Sequence, residues 1–438
     1  MKDGKISMSL ATGAGLAAII GAGIFVLSGT TIALAGANAL LAFVIVGIVA
    51  IIIALEIGEL GSILPNTKGA SYSYTYKAFG SELGFITGIV QYFSYSSGIA
   101  VIALGFGSYL ASLLGITAAM YILGFSIALI IGLAIINLIG IKSAVESDFI
   151  LVVIKMAVLL AFIGFALSFA FGGHFNPLNF QTTAQQGGIQ SLFAASIAIF
   201  FAYAGFQTVS TFTARVRGGP RKAAMAILLS VIISIVLYVL VVLALILLLP
   251  TSQYSISPDP LASALVNANA PQWLMVIVGI GAIIATASAT IARILSASRV
   301  LYQMAADRLL PKVLRDYNKK RDVAPNAVIL SSAIGIVMLF SGNIYQIAAI
   351  SNFGLLFAYM MAGLALIHYR KNGVVGEFRM PGYPYLPIIA IISLLLFMIG
   401  MPTISLLIGV VMVFSLIIIY YVLREVESKK IVRVKLFR

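Results

Sequence analysis

Apolar stretches of about twenty residues recur along this 438-residue chain, and each, coiled as an α-helix, can cross a hydrocarbon core about 30 Å thick. Inside such a core the backbone finds no water, so its polar groups must be satisfied within the protein. Composition agrees: 61% of the residues are hydrophobic and 9% charged, with a mean hydropathy of +1.12, whereas soluble domains carry about a quarter charged residues. The 40 glycines suit helices packed closely in lipid. An all-α polytopic membrane protein is expected, and cytoplasmic enzyme classes fall away.

The chain has no cysteine, hence no disulfide framework and no thiolate cluster. His174 and His368 lie far apart, so neither a metal site nor any other cofactor is expected. There is no clustered nucleophile, base and acid, no phosphate-binding loop and no ATPase domain. The chain is therefore expected not to be an enzyme, and any energy source must be an ion or substrate gradient. The N-terminus MKDGKISMSLATGAG lacks a small-residue cleavage pattern, so the first apolar run is expected to stay as a span.

Twelve spans can be placed, at 9–35, 39–63, 83–111, 119–139, 145–171, 190–212, 222–249, 271–299, 326–341, 343–368, 384–400 and 403–423. With a cytoplasmic N-terminus the even count returns the C-terminus to the cytoplasm. The inward loops then hold Lys68, Lys77, Lys142, Arg215, Arg217, Arg221, Lys222 and the basic run from Arg308 to Arg321, while the outward loops hold no Lys or Arg. That is a strong positive-inside pattern, which accounts for the net charge of +14 without nucleic acid. A cell-membrane location with both termini cytoplasmic is expected. Residues 65–80 and 303–321 read as short interfacial helices on the inner side. Residues 172–188 and 251–269 have room for small surface helices on the outer side.

Two spans carry candidate breaks. Span 1 has Gly21 and Gly23 around Ala22, and span 6 has Tyr203, Ala204 and Gly205 followed by the polar residues Gln207, Thr208, Ser210 and Thr211. Small residues by themselves also serve helix packing. Their corresponding places in two five-span halves, 9–171 and 190–368, point instead to an inverted-repeat transporter with a central site. Twelve spans are then ten plus two, the last pair covering 384–423.

These features, IIGAGIF in span 1, FFAYAGF in span 6, LPNTKGASYSYTYKAFGSELGFITG after span 2, ILSASRVLYQMAADRLLPKVL from span 8 onward and PGYPYLPII before span 11, resemble the amino acid–polyamine–organocation family of secondary transporters, in particular its proton-coupled amino acid permeases. The resemblance implies one transporter domain over 1–438, built as a 5+5 inverted repeat with helices 1 and 6 broken around the substrate. It implies that the amides of Ala22, Gly23 and Ile24 hold the substrate α-carboxylate, as a helix N-terminus favours an anion. It also implies that carbonyls near Ile19, Ile20, Phe200, Phe201 and Tyr203 hold the α-ammonium. The side-chain pocket would involve Phe201, Tyr203, Gly205 and Ser94 or Ser97. With no acid in these stretches, a small neutral or weakly polar amino acid is expected over a polyamine or other organic cation.

Lys155 stands in LVVIKMAVLLAFIGF, and a cation at that depth costs roughly 2.5–3.5 kcal/mol on insertion scales. By resemblance it occupies the place of the coupling lysine of proton-coupled relatives, where it would bridge carbonyls near Ala17 or Ala18 and the hydroxyls of Thr286 or Ser288. It lies roughly 15 Å into its span, so a fixed structural charge or a snorkelling lysine is the other reading. Glu56 and Glu59 are expected to form an inner gate or cap, with Arg299 or Lys68 as partner, and Arg293 to join a gate or structural network. Ala214 stands where many relatives have an acid, which moves the inner salt bridge to Glu56, Glu59 or Glu146. The expected function is proton-coupled amino acid uptake by alternating access in the bilayer, with amino acid exchange as the close alternative. A receptor descended from a transporter is less well supported, and no selectivity-filter repeat favours a channel.

Overall fold

The computed structural model describes residues 6–67, 69–116, 118–139, 145–183, 186–318, 321 and 323–436. Lys68, Lys142, Lys319 and Lys320, and the side chains of Ala22, Glu146 and the basic tail past Glu425, lie outside the described residues. Ser7 starts the first helix, α1 (Met8–Ile19), its hydroxyl accepting from the Leu10 amide at 3.2 Å; such a cap satisfies one of the orphan amides of a helix start. The helix stops at Ile20–Gly21 and resumes as α2 (Ala22–Ala35). Then follow α3 (Ala39–Ile63), α4 (Ser71–Phe79), α5 (Ser81–Leu113), α6 (Ala119–Ile139) and α7 (Val145–Phe169).

The next helix, α8 (Ile189–Tyr203), gives way at Ala204–Gly205 to a 3-10 run over Phe206–Arg215. Beyond it come α9 (Gly219–Leu248), α10 (Pro260–Asn267), α11 (Gln272–Ala306), α12 (Pro325–Met338), α13 (Ile344–Lys371), α14 (Tyr385–Ile399) and α15 (Thr403–Leu436). Among the described residues, nine helical stretches are long and apolar enough to cross a bilayer, and α1, α12 and α14 are shorter apolar helices. The protein is an all-α, multi-pass membrane protein. Ile135, Leu160, Ile392, Val411 and Ile418 stand exposed on its outside, as lipid-facing positions do.

Two interfacial expectations turn out differently. Within 65–80 the helix expected there is α4, Ser71–Phe79, but Tyr72 and Tyr74 are fully buried against the bundle. Residues 303–321 are not one helix: α11 runs on to Ala306, and only a single 3-10 turn, Lys312–Arg315, follows. Apolar packing of Leu301 and Met304, both buried, carries α11 past the point where charge density marks the membrane edge. The short helix α10 fits the expected outer surface segment, yet its Leu261, Ala264 and Leu265 are buried against α2, α9 and α11.

α5 packs between α11 and α13, α3 lies on α9, and α2 crosses α8. The last crossing is tight: a Cβ on Gly23 would overlap the backbone of Ala202, so only glycine lets these helices approach so closely. The segment before α1 is tied to the end of the second interruption, the Ile6 amide donating to the Arg215 carbonyl at 2.8 Å and the Arg217 amide to the Ile6 carbonyl at 2.7 Å.

Near the same face, the Glu59 carboxylate is fully buried and takes both Nε (2.6 Å) and Nη2 (2.8 Å) of Arg370, with a third bond from the Met380 amide at 2.8 Å. Tyr383 stacks on the guanidinium, 4.7 Å from ring centroid to Cζ. Three donors on one buried carboxylate lock the loop after α13 onto the end of α3. Replacing Arg370 by Ala strands that carboxylate, and the loss of a buried partner costs about 3–5 kcal/mol. A clear fall in the melting temperature of purified R370A in detergent is expected; a melting temperature equal to that of the unchanged protein would show that this pair carries no such weight.

Candidate functional site

At the first interruption the Gly21 amide turns back to the Ile19 carbonyl at 2.7 Å. α2 then starts with no side chain capping its first turn, which leaves amide donors at mid-bundle, an arrangement that favours an anion. The Tyr238 hydroxyl, from α9, sits 2.8 Å from the Ile19 carbonyl and 3.2 Å from that of Ala202. A single phenol proton therefore serves both interruptions. At the second, Ala204 is extended and Gly205 adopts φ +131°, a conformation that side chains disfavour. Its amide donates to Gln207 Oε1 at 3.1 Å. A Cβ on Gly205 would overlap the Ala18 carbonyl, so the two interruptions touch each other.

Between them lies a cavity of about 50 Å³, bounded by Ala17, Ala18, Ile19, Gly21 and Gly23 at the first interruption, Phe201, Ala204, Gly205, Gln207 and Thr208 at the second, Tyr95 and Ile102 of α5, and Ala289, Ala292, Arg293 and Ser296 of α11. One water needs roughly 10–15 Å³, so the cavity has room for a few waters. Its floor is a hydrogen-bonded chain. Gln207 Oε1 accepts from Tyr359 at 2.6 Å, Gln207 Nε2 donates to the Tyr95 hydroxyl at 3.1 Å, and Gln91 Nε2 reaches the same hydroxyl at 3.1 Å. Gln91 Oε1 in turn accepts from the backbone amide of Tyr72 at 2.9 Å, and the Tyr72 hydroxyl donates to Asp307 at 2.7 Å. The hydrogen-bonded chain thus runs from the cavity to the Tyr72 backbone, and the Tyr72 ring, which carries a separate bond to Asp307, links it to the junction of α4 with the end of α11.

Of the residues singled out from sequence, Ala17, Ala18, Gly23, Phe201 and Gly205 line the cavity, and so does Arg293. Ile20 and Ile24 are buried behind them. Phe200 packs instead on Tyr359 and Phe397, at 6.1 and 5.9 Å between centroids. Tyr203 turns away from the cavity, its hydroxyl donating to the Phe43 carbonyl at 3.1 Å. Ser94 and Ser97 are buried within α5, where Tyr95 is the cavity residue.

Lys155 is 1% exposed on α7, the helix that packs against α1, α9 and α11. Thr286 and Ser288 give their hydroxyls to carbonyls of their own helix. Glu59 pairs with Arg370, because α13 delivers its guanidinium directly over the end of α3, and Lys68, one of the expected partners, lies outside the described residues. Glu56 is buried with neither carboxylate oxygen hydrogen-bonded, and Arg299 is exposed on α11. Arg293, expected at an inner gate, stands at the cavity because α11 turns that face toward the interruptions, with Ala289 against Gly21. The site residues that sequence reasoning passed over are Tyr95, Tyr238 and Tyr359; their signal was a hydroxyl within an apolar span, which must find an internal partner.

The sequence profile of amino acid permeases matches residues 6–424. The chain belongs to that family. The permease is 26% identical over 434 residues to the branched-chain amino acid permease of Bacillus subtilis, covering 95% of this chain and 92% of that protein. It is 30% identical over 375 residues to the vacuolar cationic amino acid transporter 2 of Arabidopsis thaliana, covering 81% of this chain and 58% of the plant protein. To the methylthioribose transporter of Bacillus subtilis it is 25% identical over 417 residues, covering 89% and 87%. In fold it resembles a crystal structure of a mutant manganese transporter from Eremococcus coleocola, with a TM-score of 0.62 at 15% identity over 94% of this chain and 93% of that one. Its function is transport and not catalysis.

Replacing Tyr238 by Phe removes a donor shared by the two interruptions; the Ile19 carbonyl keeps the Gly21 amide, whereas the Ala202 carbonyl loses its side-chain donor, and a buried acceptor left unpaired costs about 1–3 kcal/mol. Y238F is expected to melt at a lower temperature and to bind substrate more weakly, measured side by side in detergent. Gly205→Ala meets both a φ that disfavours side chains and the Ala18 carbonyl. It is expected to abolish uptake in proteoliposomes, and uptake at the unchanged rate would show that the interruption relaxes freely.

Proposed function

We propose that this permease imports amino acids by alternating access, driven by protons. The observation that carries the reading is the contact between the two helix interruptions, with a small polar-floored cavity held between them. Uncapped amides at the start of α2 offer a place for an α-carboxylate, and the last-turn carbonyls of Ala17 and Ala18, beyond which no helical amide follows, offer one for an α-ammonium. Recognition of this kind uses groups common to all amino acids, in keeping with the amino acid substrates named for the branched-chain and cationic relatives.

In this reading α1–α7 and α8–α13 are the two five-span halves, 9–171 and 190–368, of an inverted repeat. α14 and α15 add the last two of twelve spans, and the basic loops and both termini face the cytoplasm. Transport then rocks one set of helices against the other around the site. Lys155 is the coupling residue: buried on the helix that packs against both α1 and α11, it links its own protonation to how those helices sit. If its affinity for a proton differs between the two states of the carrier, substrate and proton are coupled reciprocally. Among the described residues there is no group of three or more His, Cys, Asp or Glu that could hold a metal ion.

Uptake of a panel of labelled amino acids into proteoliposomes, with and without an imposed inward proton gradient, tests this. Accumulation is expected to need the gradient, and Lys155→Ala to lose accumulation while keeping substrate counterflow. Gradient-independent counterflow in both proteins would establish exchange instead and leave Lys155 a structural charge.

A further inference from the structure

Arg293 is a charge without a counterpart. Its guanidinium lies over the Phe201 ring at 4.8 Å and beside the Tyr95 ring at 5.7 Å. Among the described residues it makes no hydrogen bond and no ion pair, and its Nη1 is shielded from solvent with no partner. Room for the group comes from Gly98, where a Cβ would stand 3.2 Å from Nη1. No Asp or Glu lines the cavity. A guanidinium has five N–H donors in a planar fork that matches a carboxylate, and aromatic faces hold the plane of such a group by cation–π attraction while its donor edge stays unused. Keeping a half-buried cation, with one donor nitrogen shielded, without an anion is unfavourable, and this one borders the cavity between the helix interruptions.

The position along α11 gives the spacing. Ala289 packs on Gly21, a Cβ there standing 3.0 Å from the Ala289 Cβ, and Arg293 is one turn further on the same face, about 6 Å along the axis. Two anion-favouring elements, the start of α2 and Arg293, are therefore separated by roughly the reach of a short acidic side chain. A ligand with one carboxylate leaves one of them unsatisfied, and a ligand with a cationic side chain meets repulsion.

We propose that Arg293 makes this permease selective for amino acids with an acidic side chain, the α-carboxylate lying at the start of α2 and the side-chain carboxylate on the guanidinium. This replaces the neutral substrates expected from sequence and rests on the amino acid transport reading above. The two carboxylates of such a ligand are told apart by comparing each acid with its amide, which differs only in the side chain.

The test is uptake of labelled aspartate, glutamate, asparagine, glutamine and lysine by the full-length protein in proteoliposomes, with Arg293→Gln and Arg293→Lys alongside. The unchanged protein is expected to prefer each acid over its amide by about a hundredfold, the size typical of removing one partner from a buried charge pair, and to reject lysine. R293Q is expected to bring that ratio near unity or invert it, with R293K between the two. Preference of the unchanged protein for the amides or lysine overturns the proposal, as does an acid-over-amide ratio that survives in R293Q. A uniform loss of all substrates in folded R293Q, checked by its melting temperature, assigns Arg293 to the α-carboxylate and also overturns it. If R293Q does not fold, R293K decides: an acid-over-amide ratio below that of the unchanged protein supports the proposal, and an unchanged ratio overturns it. Transport of neutral amino acids alone sinks this proposal and spares the amino acid reading; uptake of none of the five sinks this proposal, while uptake of none of the wider amino acid panel above sinks both.

Discussion

Backbone carbonyls and amides released in the middle of a bilayer have no water to turn to, and the architecture around the two helix interruptions answers that constraint. Each unsatisfied group costs several kcal/mol in such surroundings. Tyr238 supplies the Ile19 and Ala202 carbonyls and Gln207 the Gly205 amide, while Tyr109 adds a bond to the Phe25 carbonyl within α2. Asn352 of α13 donates to the Ile197 carbonyl in the helix leading to the second interruption. Long side chains from surrounding helices thus do the work that water does at a soluble active site. They also fix which backbone groups remain for a ligand.

Glycine sets the second condition. Because Gly23 carries no side chain, α2 can lie on α8 at Ala202, and because Gly205 carries none, the second interruption can rest on Ala18. The cavity is what is left between two close contacts. Its floor of Gln207, Tyr95, Gln91 and Tyr359 joins elements from both halves of the chain, so a movement of either interruption is felt through α5 and α13. On the face where Ile6 pairs with Arg215 and Arg217, the two broken stretches are also tied by backbone bonds, which favours their moving as one body.

Buried charge sorts into kinds that a sequence treats alike. Glu59 is saturated with donors from Arg370 and Met380, the pattern of a structural clamp. Arg293 has aromatic faces and unused donors at a cavity, the pattern of a ligand group. Both sit in apolar helices within a few turns of basic loops, and sequence reasoning gave both to an inner gate. The difference lies in which neighbour each helix face meets. Tyr203 and Gln207 make the same point four residues apart: the aromatic that ends α8 is the residue expected in the pocket, yet it bonds to the Phe43 carbonyl, and the glutamine beyond the break lines the cavity.

Several properties were set by the order of residues alone. The length of the apolar runs dictated helices that cross a membrane, because no other open structure satisfies its own backbone there. The clusters Ile19–Phe25 and Phe200–Phe206 marked both interruptions, because glycine and small residues allow what bulky ones forbid. The family, too, was readable from those motifs. What only the tertiary structure decided is direction: that α11 presents Arg293 to the cavity, that α9 brings Tyr238 to both breaks, and that α13 carries Arg370 to Glu59. Hydropathy sums over a helix and is nearly blind to its rotation when apolar residues surround it on all sides, so the facing of each side chain is settled by packing against helices distant in the chain.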